Sequence, residues 1–176
     1  MITIAFHKYQ CAGNDFIIID NREKVFPNHA PQLIEKLCNR KFGIGADGLI
    51  LLEKSAKYDF KMIYFNADGN ESTMCGNGGR CIVAFAKKLQ LFDKETTFEA
   101  IDGKHFASIE NEAVKLQMIN IQEVQHHQNH YFVNSGSPHH IILTTNLNLC
   151  NVVSEGRKIR NGAPYFEQGS NVNFVE

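Results

Sequence analysis

FNADGNESTMCGNGGRCIVAFAKKL, residues 65–89, decides how this chain is read. In its second half Ile82, Phe85, Ala86 and Leu89 stand at i, i+3, i+4 and i+7, the spacing that lines one helix face, so a helix is expected from about Gly76 to Gln90. The first turn of that helix is mostly glycine, and Cys75 stands directly before it. The first N–H groups of a helix lack intrahelical acceptors and carry the positive end of its dipole. Such a mouth attracts anions: it offers a carboxylate a seat and lowers the pKa of a nearby thiol. Glycines at 76, 78 and 79 keep side chains out of the path of a small ligand, and Asn77 adds a neutral amide.

Those residue types suit one kind of chemistry. Taking the α-proton from an amino acid needs a base on one face, a proton donor on the other, and stabilisation of the charge that spreads into the carboxylate. Two opposed thiols can exchange the roles of base and donor, and a helix mouth supplies the stabilisation. The competing explanation is a glycine-rich strand-to-helix turn in which Cys75 only packs, and on motif physics the two stand level. CGNGGRC lacks the GK[ST] ending of a phosphate loop and the spacing of a dinucleotide GxGxxG. Cys81 falls on the interior side of the helix and reads as structural.

Upstream of the motif, YDFKMIYFN turns Phe60, Met62 and Tyr64 toward one face, which predicts a half-buried strand. Before it come a buried strand in DFIIID (15–20), a helix opened by Pro31 with Leu33, Ile34, Leu37 and Cys38 on one face and a stop at Gly43, a loop in GIGADG, and a strand in GLILLEKS. Downstream, TTFEAIDGKHFASIENEAVKLQMIN predicts a meander with turns at Asp102-Gly103 and Glu110-Asn111-Glu112. Residues 121–130 (IQEVQHHQNH) are polar and weakly patterned, and read as a connector. Its histidines 126, 127 and 130 have no adjacent carboxylate or cysteine, so a solvated linker is preferred to a metal site.

Composition narrows the function. The 176 residues are 43% hydrophobic, enough for a core, and 18 Lys and Arg against 19 Asp and Glu give a net charge of -1. That balance leaves no basic field to gather nucleic acid. No apolar run approaches the roughly 20 residues that span a bilayer, and MITIAFHKYQ lacks the pattern of a secretory leader, so a cytoplasmic protein without membrane contact is expected. Five cysteines without a CxxC pair argue against a disulfide framework and a zinc ribbon, and Cys11, Cys38 and Cys150 read as plain buried thiols.

The opening has an echo. KYQCAGNDFIIID and YFVNSGSPHHIILTT both set a glycine and small polar residues directly before an apolar strand, with Gly13-Asn14 matching Gly136-Ser137, which suggests two copies of one unit. Cys75 lies 75 − 13 = 62 residues after Gly13, so a counterpart is expected near 136 + 62 = 198, past residue 176.

GNDFIIID, FGIGADGLILLE, FNADGNESTMCGNGGRC, SGSPHHII and NVNFV together resemble, in this order, the diaminopimelate epimerases, and they cover the chain from near its start to its end. The resemblance implies an α+β fold of two pseudo-symmetric domains, each a curved, mostly antiparallel sheet around a central helix. The first would be 1–120 and the second 121–176, incomplete. It also implies interconversion of LL- and meso-diaminopimelate on the route to lysine and peptidoglycan, without pyridoxal phosphate or metal, by two cysteines acting as acid and base. Cys75 matches the first of these. Gly76 and Asn77 match residues that hold the substrate at the reacting centre, and Asn14, Asn66 and Asn171 match positions that contact its polar groups, mainly at the distal end. Ser137 stands where many members carry asparagine and is included; Gly48 stands where some carry glutamine and is not. The second cysteine loop and the Glu-Arg pair before it would lie past Glu176, so this stretch is expected to be inactive by itself. Diaminopimelate is the expected partner, and the resemblance leaves room for a homodimer. A related isomerase acting on proline or a phenazine precursor, or a non-catalytic binding module, are the alternatives.

Overall fold

The structure, a computed structural model, describes residues 3–27 and 30–176; Met1 and Ile2 of the opening stretch MITIAFHKYQ lie outside the described residues. Chain contacts divide it into two units, the first ending at Met118 and the second running Ile119–Glu176.

The first unit is built on β2 (Asn14–Asp20) and β3 (Gly48–Glu53), which pair in parallel, Phe16 against Gly48 through Asp20 against Leu52. Both strands are apolar on both sides, the pattern of strands covered on two faces. Phe16, Ile18, Ile50 and Leu52 point into one core, whereas Ile17, Ile19, Leu49 and Leu51 point into another. The outer core is closed by α1 (Pro31–Cys38) through Ile34 and Cys38. This helix stops short of Gly43, because the N–H of Asn39 closes the last turn onto Glu35 and Lys36, and the Asn39 side chain then accepts from the N–H groups of Lys41 and Phe42. At the far end of the β2–β3 pair, buried Asn21 donates from Nδ2 to Oε1 of buried Glu53 at 2.6 Å, and its backbone N–H goes to Leu52 O at 2.8 Å.

The sheet has seven strands in chain order, adding β1 (His7–Cys11), β4 (Phe60–Asn66), β5 (Glu95–Ala100), β6 (Gly103–Glu110) and β7 (Ala113–Leu116). Pairings β2–β3 and β4–β5 are parallel and the other four antiparallel. α2 (Gly76–Lys88) packs against both edge strands, β1 and β7, as well as β2, β3 and β4, which is possible only because the sheet curls around it. Its buried face carries Cys81, Ile82, Val83, Phe85 and Ala86, the stripe expected from the spacing. It ends two residues before Gln90, where Leu89 and Gln90 turn the chain, Gln90 at φ 59°. The meander's first turn falls on Ile101 and Asp102, one residue earlier than Asp102-Gly103, since Ala100 pairs with Gly103. Its second falls on Asn111 and Glu112, both at positive φ as a tight type I′ hairpin requires.

The second unit has four strands in the order β11 (Asn171–Val175), β10 (Pro138–Leu143), β9 (Tyr131–Asn134), β8 (Val124–His126), with β10–β11 parallel and the others antiparallel. The stretch 121–130 is therefore not simply a connector: it contains β8, a three-residue edge strand held by backbone pairing to β9, with all three residues exposed. His127 and His130 stack at 4.4 Å and His130 stacks on His140 at 3.9 Å. Among the described residues no group of three or more His, Cys, Asp and Glu is arranged to hold a metal ion.

The echo in the sequence is an echo in topology. An antiparallel hairpin, a helix, and a strand returning parallel to the hairpin's second strand occur as β1, β2, α1, β3 and again as β9, β10, α3 (Val152–Asn161), β11. A positive-φ glycine precedes the second strand of each hairpin, Gly13 at φ 80° and Gly136 at φ 100°. Among the described residues no helix is long and apolar enough to cross a membrane.

Candidate functional site at the mouth of the central helix

Cys75 is the N-cap of α2, with extended backbone (φ −101°, ψ 124°), and its carbonyl accepts the N–H of Gly79 at 2.7 Å. β4 delivers the chain to this point through a tight loop. Asn66 O accepts from Gly69 N at 2.9 Å, Asn66 N donates to Asn70 O at 3.0 Å, and Phe65 bridges to Glu71. Gly78 and Gly79 are buried because the helix lies close on the sheet. A methyl at Gly78 would come within 3.1 Å of Ile50 Cδ1, and one at Gly79 within 2.8 Å of Leu116 Cδ2. Only at Gly76 is there ordinary room, 3.6 Å to Met118. Two of the three glycines therefore serve packing as well as access.

The β1–β2 hairpin brings Asn14 to the same place. Its turn residues Ala12 and Gly13 both have positive φ, at 53° and 80°, and Asn14 opens β2 immediately afterwards. Asn14 Oδ1 lies 3.7 Å from Cys75 Sγ, which donates to it, and 3.3 Å from Asn77 Nδ2. Cys75 is half-buried, neither sealed in the core nor fully open.

Charged residues surround this trio. Asp47, just before β3, accepts from Asn14 Nδ2 at 2.9 Å and from Asp15 N at 3.1 Å, and its own N–H returns to Asp15 at 3.0 Å. Arg40 donates to Asp15 at 2.7 Å and to Asp47 at 2.8 Å, and Lys8 adds a bond to Asp15 at 2.7 Å. Hydrogen bonding from Arg40, opposed by burial and helped by Lys8, holds the Asp15 carboxyl well below the usual carboxylate range. Burial pushes Asp47 up, but the amide of Asn14, the N–H of Asp15 and Arg40 outweigh it, so Asp47 is also lowered. On the other side Arg80 donates from Nη2 to Asn77 Oδ1 and from Nε to Cys11 Sγ at 3.1 Å.

Of the residues expected from sequence, Cys75, Gly76, Asn77 and Asn14 meet at one point, and Asn66 ends β4 opposite Gly48, beside Asp47. In the second unit Asn171 Nδ2 donates to Pro138 O at 3.3 Å, the carbonyl next to Ser137. Gly48 is close-packed: a methyl there would stand 2.5 Å from Phe65 O and 2.6 Å from the Tyr64 ring.

The thiols divide differently from the expectation. Cys38 and Cys81 are buried as read, and burial pushes their pKa values up to about 11 and about 12. Cys11 and Cys150 are half-buried, not core thiols, because β1 is an edge strand and Cys150 ends an exposed 3-10 turn. Sequence reasoning missed Asp47, Arg40, Arg80 and Cys11. Arg80 follows Asn77 by three positions on the helix, a spacing that places them side by side and could have been read. Asp47 and Arg40 reach the site only through the fold.

The family model for diaminopimelate epimerase matches residues 6–126. Curated relatives with that name include one from Flavobacterium psychrophilum, 59% identical over 96% of this chain and 66% of its own length. Another, from Chlorobaculum tepidum, is 44% identical over 94% of this chain and 67% of its own. The chain thus spans about two thirds of the length of the curated relatives it matches. Among solved structures, a Bacillus anthracis phenazine biosynthesis protein of the PhzF family superimposes with a TM-score of 0.63 at 15% identity, covering 84% of this chain and 56% of that one, a likeness of fold.

Proposed function

Since the chain belongs to the diaminopimelate epimerase family, we propose that it carries one acid/base half of a cofactor-independent enzyme interconverting LL- and meso-diaminopimelate for lysine and peptidoglycan synthesis. The observation that carries this reading is a half-buried sulfur at the mouth of a 13-residue helix, with the amide of Asn14 against it and that of Asn77 bonded to Asn14 in turn. As a thiolate, Cys75 takes the α-hydrogen of the substrate as a proton, and the electron pair of the broken C–H bond spreads into the carboxylate. The carboxylate lies against the N–H groups at the helix start, those of Gly76 and Asn77, where the dipole meets the growing charge. A thiol on the opposite face returns a proton to carbon, which inverts the centre. No electron sink is needed beyond the carboxylate, so neither pyridoxal phosphate nor a metal enters the step. In the first unit Asn14 and Asn66 hold polar groups of the substrate; in the second unit, taken by itself, Ser137 and Asn171 are the residues assigned to substrate contact.

Among the described residues Cys75 is the one cysteine followed by a glycine-rich helix start. The 176-residue chain therefore supplies one of the two proton carriers, and by itself it turns over no diaminopimelate. Five free thiols and no disulfide suit a reducing cytoplasm, where we place the protein. The test uses two readouts on the same sample. In D2O with LL-diaminopimelate the chain is expected to give neither α-proton exchange nor meso product, while millimolar diaminopimelate slows alkylation of Cys75. Absence of that protection removes diaminopimelate as the ligand, and turnover by the chain alone removes the two-thiol scheme.

A further inference from the structure

The two amides at the helix mouth are wired in series between a carboxylate and a guanidinium. Asp47, ionised, only accepts, so Asn14 must turn its NH2 toward it. That leaves Oδ1 of Asn14 to face Cys75 Sγ at 3.7 Å and Asn77 Nδ2 at 3.3 Å. Arg80 only donates, so Asn77 must give it the oxygen. Reversing either amide would set donor against donor or acceptor against acceptor, which costs more than a lost hydrogen bond in a half-buried site. The row has one self-consistent polarity, and both ends are charged.

We propose that Asp47 and Arg80 are positioning residues for the Cys75 thiol: acting through Asn14 and Asn77, they determine that the sulfur meets a carbonyl oxygen and not an amide N–H. The hydrogen of the free thiol then has a fixed acceptor, Asn14 Oδ1, until a ligand displaces the contact. Arg40 and the Asp15 N–H hold Asp47 in turn, so the control extends from the outer end of β2 to the sulfur. The inference rests on the reading of Cys75 as a proton carrier, but its test does not need turnover.

The test is site-resolved alkylation of the intact chain with iodoacetamide at neutral pH, each cysteine followed through its own peptide by mass spectrometry. In Asp47→Ala the row loses its terminal acceptor, Asn14 is free to offer N–H to the sulfur, and Cys75 is expected to react about two- to tenfold faster, the span of one ordinary hydrogen bond. Cys38 and Cys81 stay protected. Asn14→Leu alone gives a rise of similar size, and the double variant Asn14→Leu, Asp47→Ala is no faster than Asn14→Leu, since Asp47 acts through Asn14. If Asp47→Ala does not fold, Asp47→Asn, which keeps the volume and can itself donate to Asn14 Oδ1, frees the Asn14 N–H for the sulfur and is expected to speed Cys75 likewise. An unchanged Cys75 rate in folded variants overturns the proposal. So does a parallel rise at Cys38 and Cys81, which would mark general loosening, or additivity in the double variant. If instead the rates behave as expected but diaminopimelate gives no protection, the positioning stands and the substrate reading falls.

Discussion

Replacing single glycines of α2 by alanine separates what the helix needs for packing from what the site needs for access. At Gly76 an added methyl would lie 3.6 Å from Met118 Cε and 3.7 Å from Arg80 Nη1, so nothing has to move. The alanine restricts the unfolded chain, which favours folding by about 0.4–1 kcal/mol. At Gly79 the methyl would stand 2.8 Å from Leu116 Cδ2 and 3.1 Å from Met74 Cε, both packed in the inner core. There the helix propensity of alanine returns about 1 kcal/mol, while overpacking costs about 1–3 kcal/mol, a net loss of about 0–2 kcal/mol. Gly76→Ala should therefore be at least as stable as the parent, and Gly79→Ala no more stable than it. Urea unfolding measures both, as midpoint shifts at unchanged slope. The same Gly76→Ala protein should show weaker protection of Cys75 by diaminopimelate, because the methyl narrows the helix mouth. A Gly76→Ala protein less stable than the parent would refute the packing argument. One that keeps full protection would refute the claim that glycine there clears a path for the ligand.

Three further outcomes are expected. Iodoacetamide at pH about 8 should label Cys75 in the folded protein and spare Cys38 and Cys81, whose thiols burial keeps protonated; all five should react in urea, and labelling of Cys81 under native conditions would contradict its place in the core. Phe60→Ala removes a fully buried ring stacked on Phe98 at 5.1 Å and should cost about 3–5 kcal/mol in calorimetry or urea; a loss under 1 kcal/mol would mean that the β4–β5 junction is not part of the core. Acidification should weaken the second unit. Burial first, then neighbouring imidazoles, lower the pKa values of His130 and His140, so the unfolded chain binds protons more readily. The stabilisation is complete above the ordinary histidine value of about 6.5 and is lost as pH falls below it. Amide exchange of residues 124–143 between neutral pH and pH about 5 reads this directly, and pH-independent protection would disprove it.

The strands with apolar runs and the central helix were legible because their burial is written in side chains. β2, β3 and α2 fall where periodicity puts them, and Ile82, Phe85 and Ala86 are buried as the spacing requires. Two of the edge strands, β1 and β8, were not legible. HKYQC buries only part of its polar-looking alternation, through Tyr9 and Cys11 against the core, and VQH is wholly exposed and a strand through backbone pairing, to which composition is blind. The site divides along the same line. Cys75, Gly76 and Asn77 are neighbours in sequence and could be read together. The Asn14 contact spans 61 residues and the Asp47 contact on Asn14 spans 33, and only the curled sheet and its parallel pair bring them in range.

Because β2 and β3 are apolar on both faces, a slip of one residue would exchange Phe16 and Ile18 for Ile17 and Ile19 and still bury isoleucine on either side. Greasiness cannot tell the right threading from the wrong one. The decision falls to the polar clasps at the two ends of the ladder, Asp15 with Asp47 at one and Asn21 with Glu53 at the other, neither of which survives a shift. The acid that orients the amide beside the sulfur is thus also a proofreader of strand alignment, and its loss would be felt during assembly before any substrate arrives.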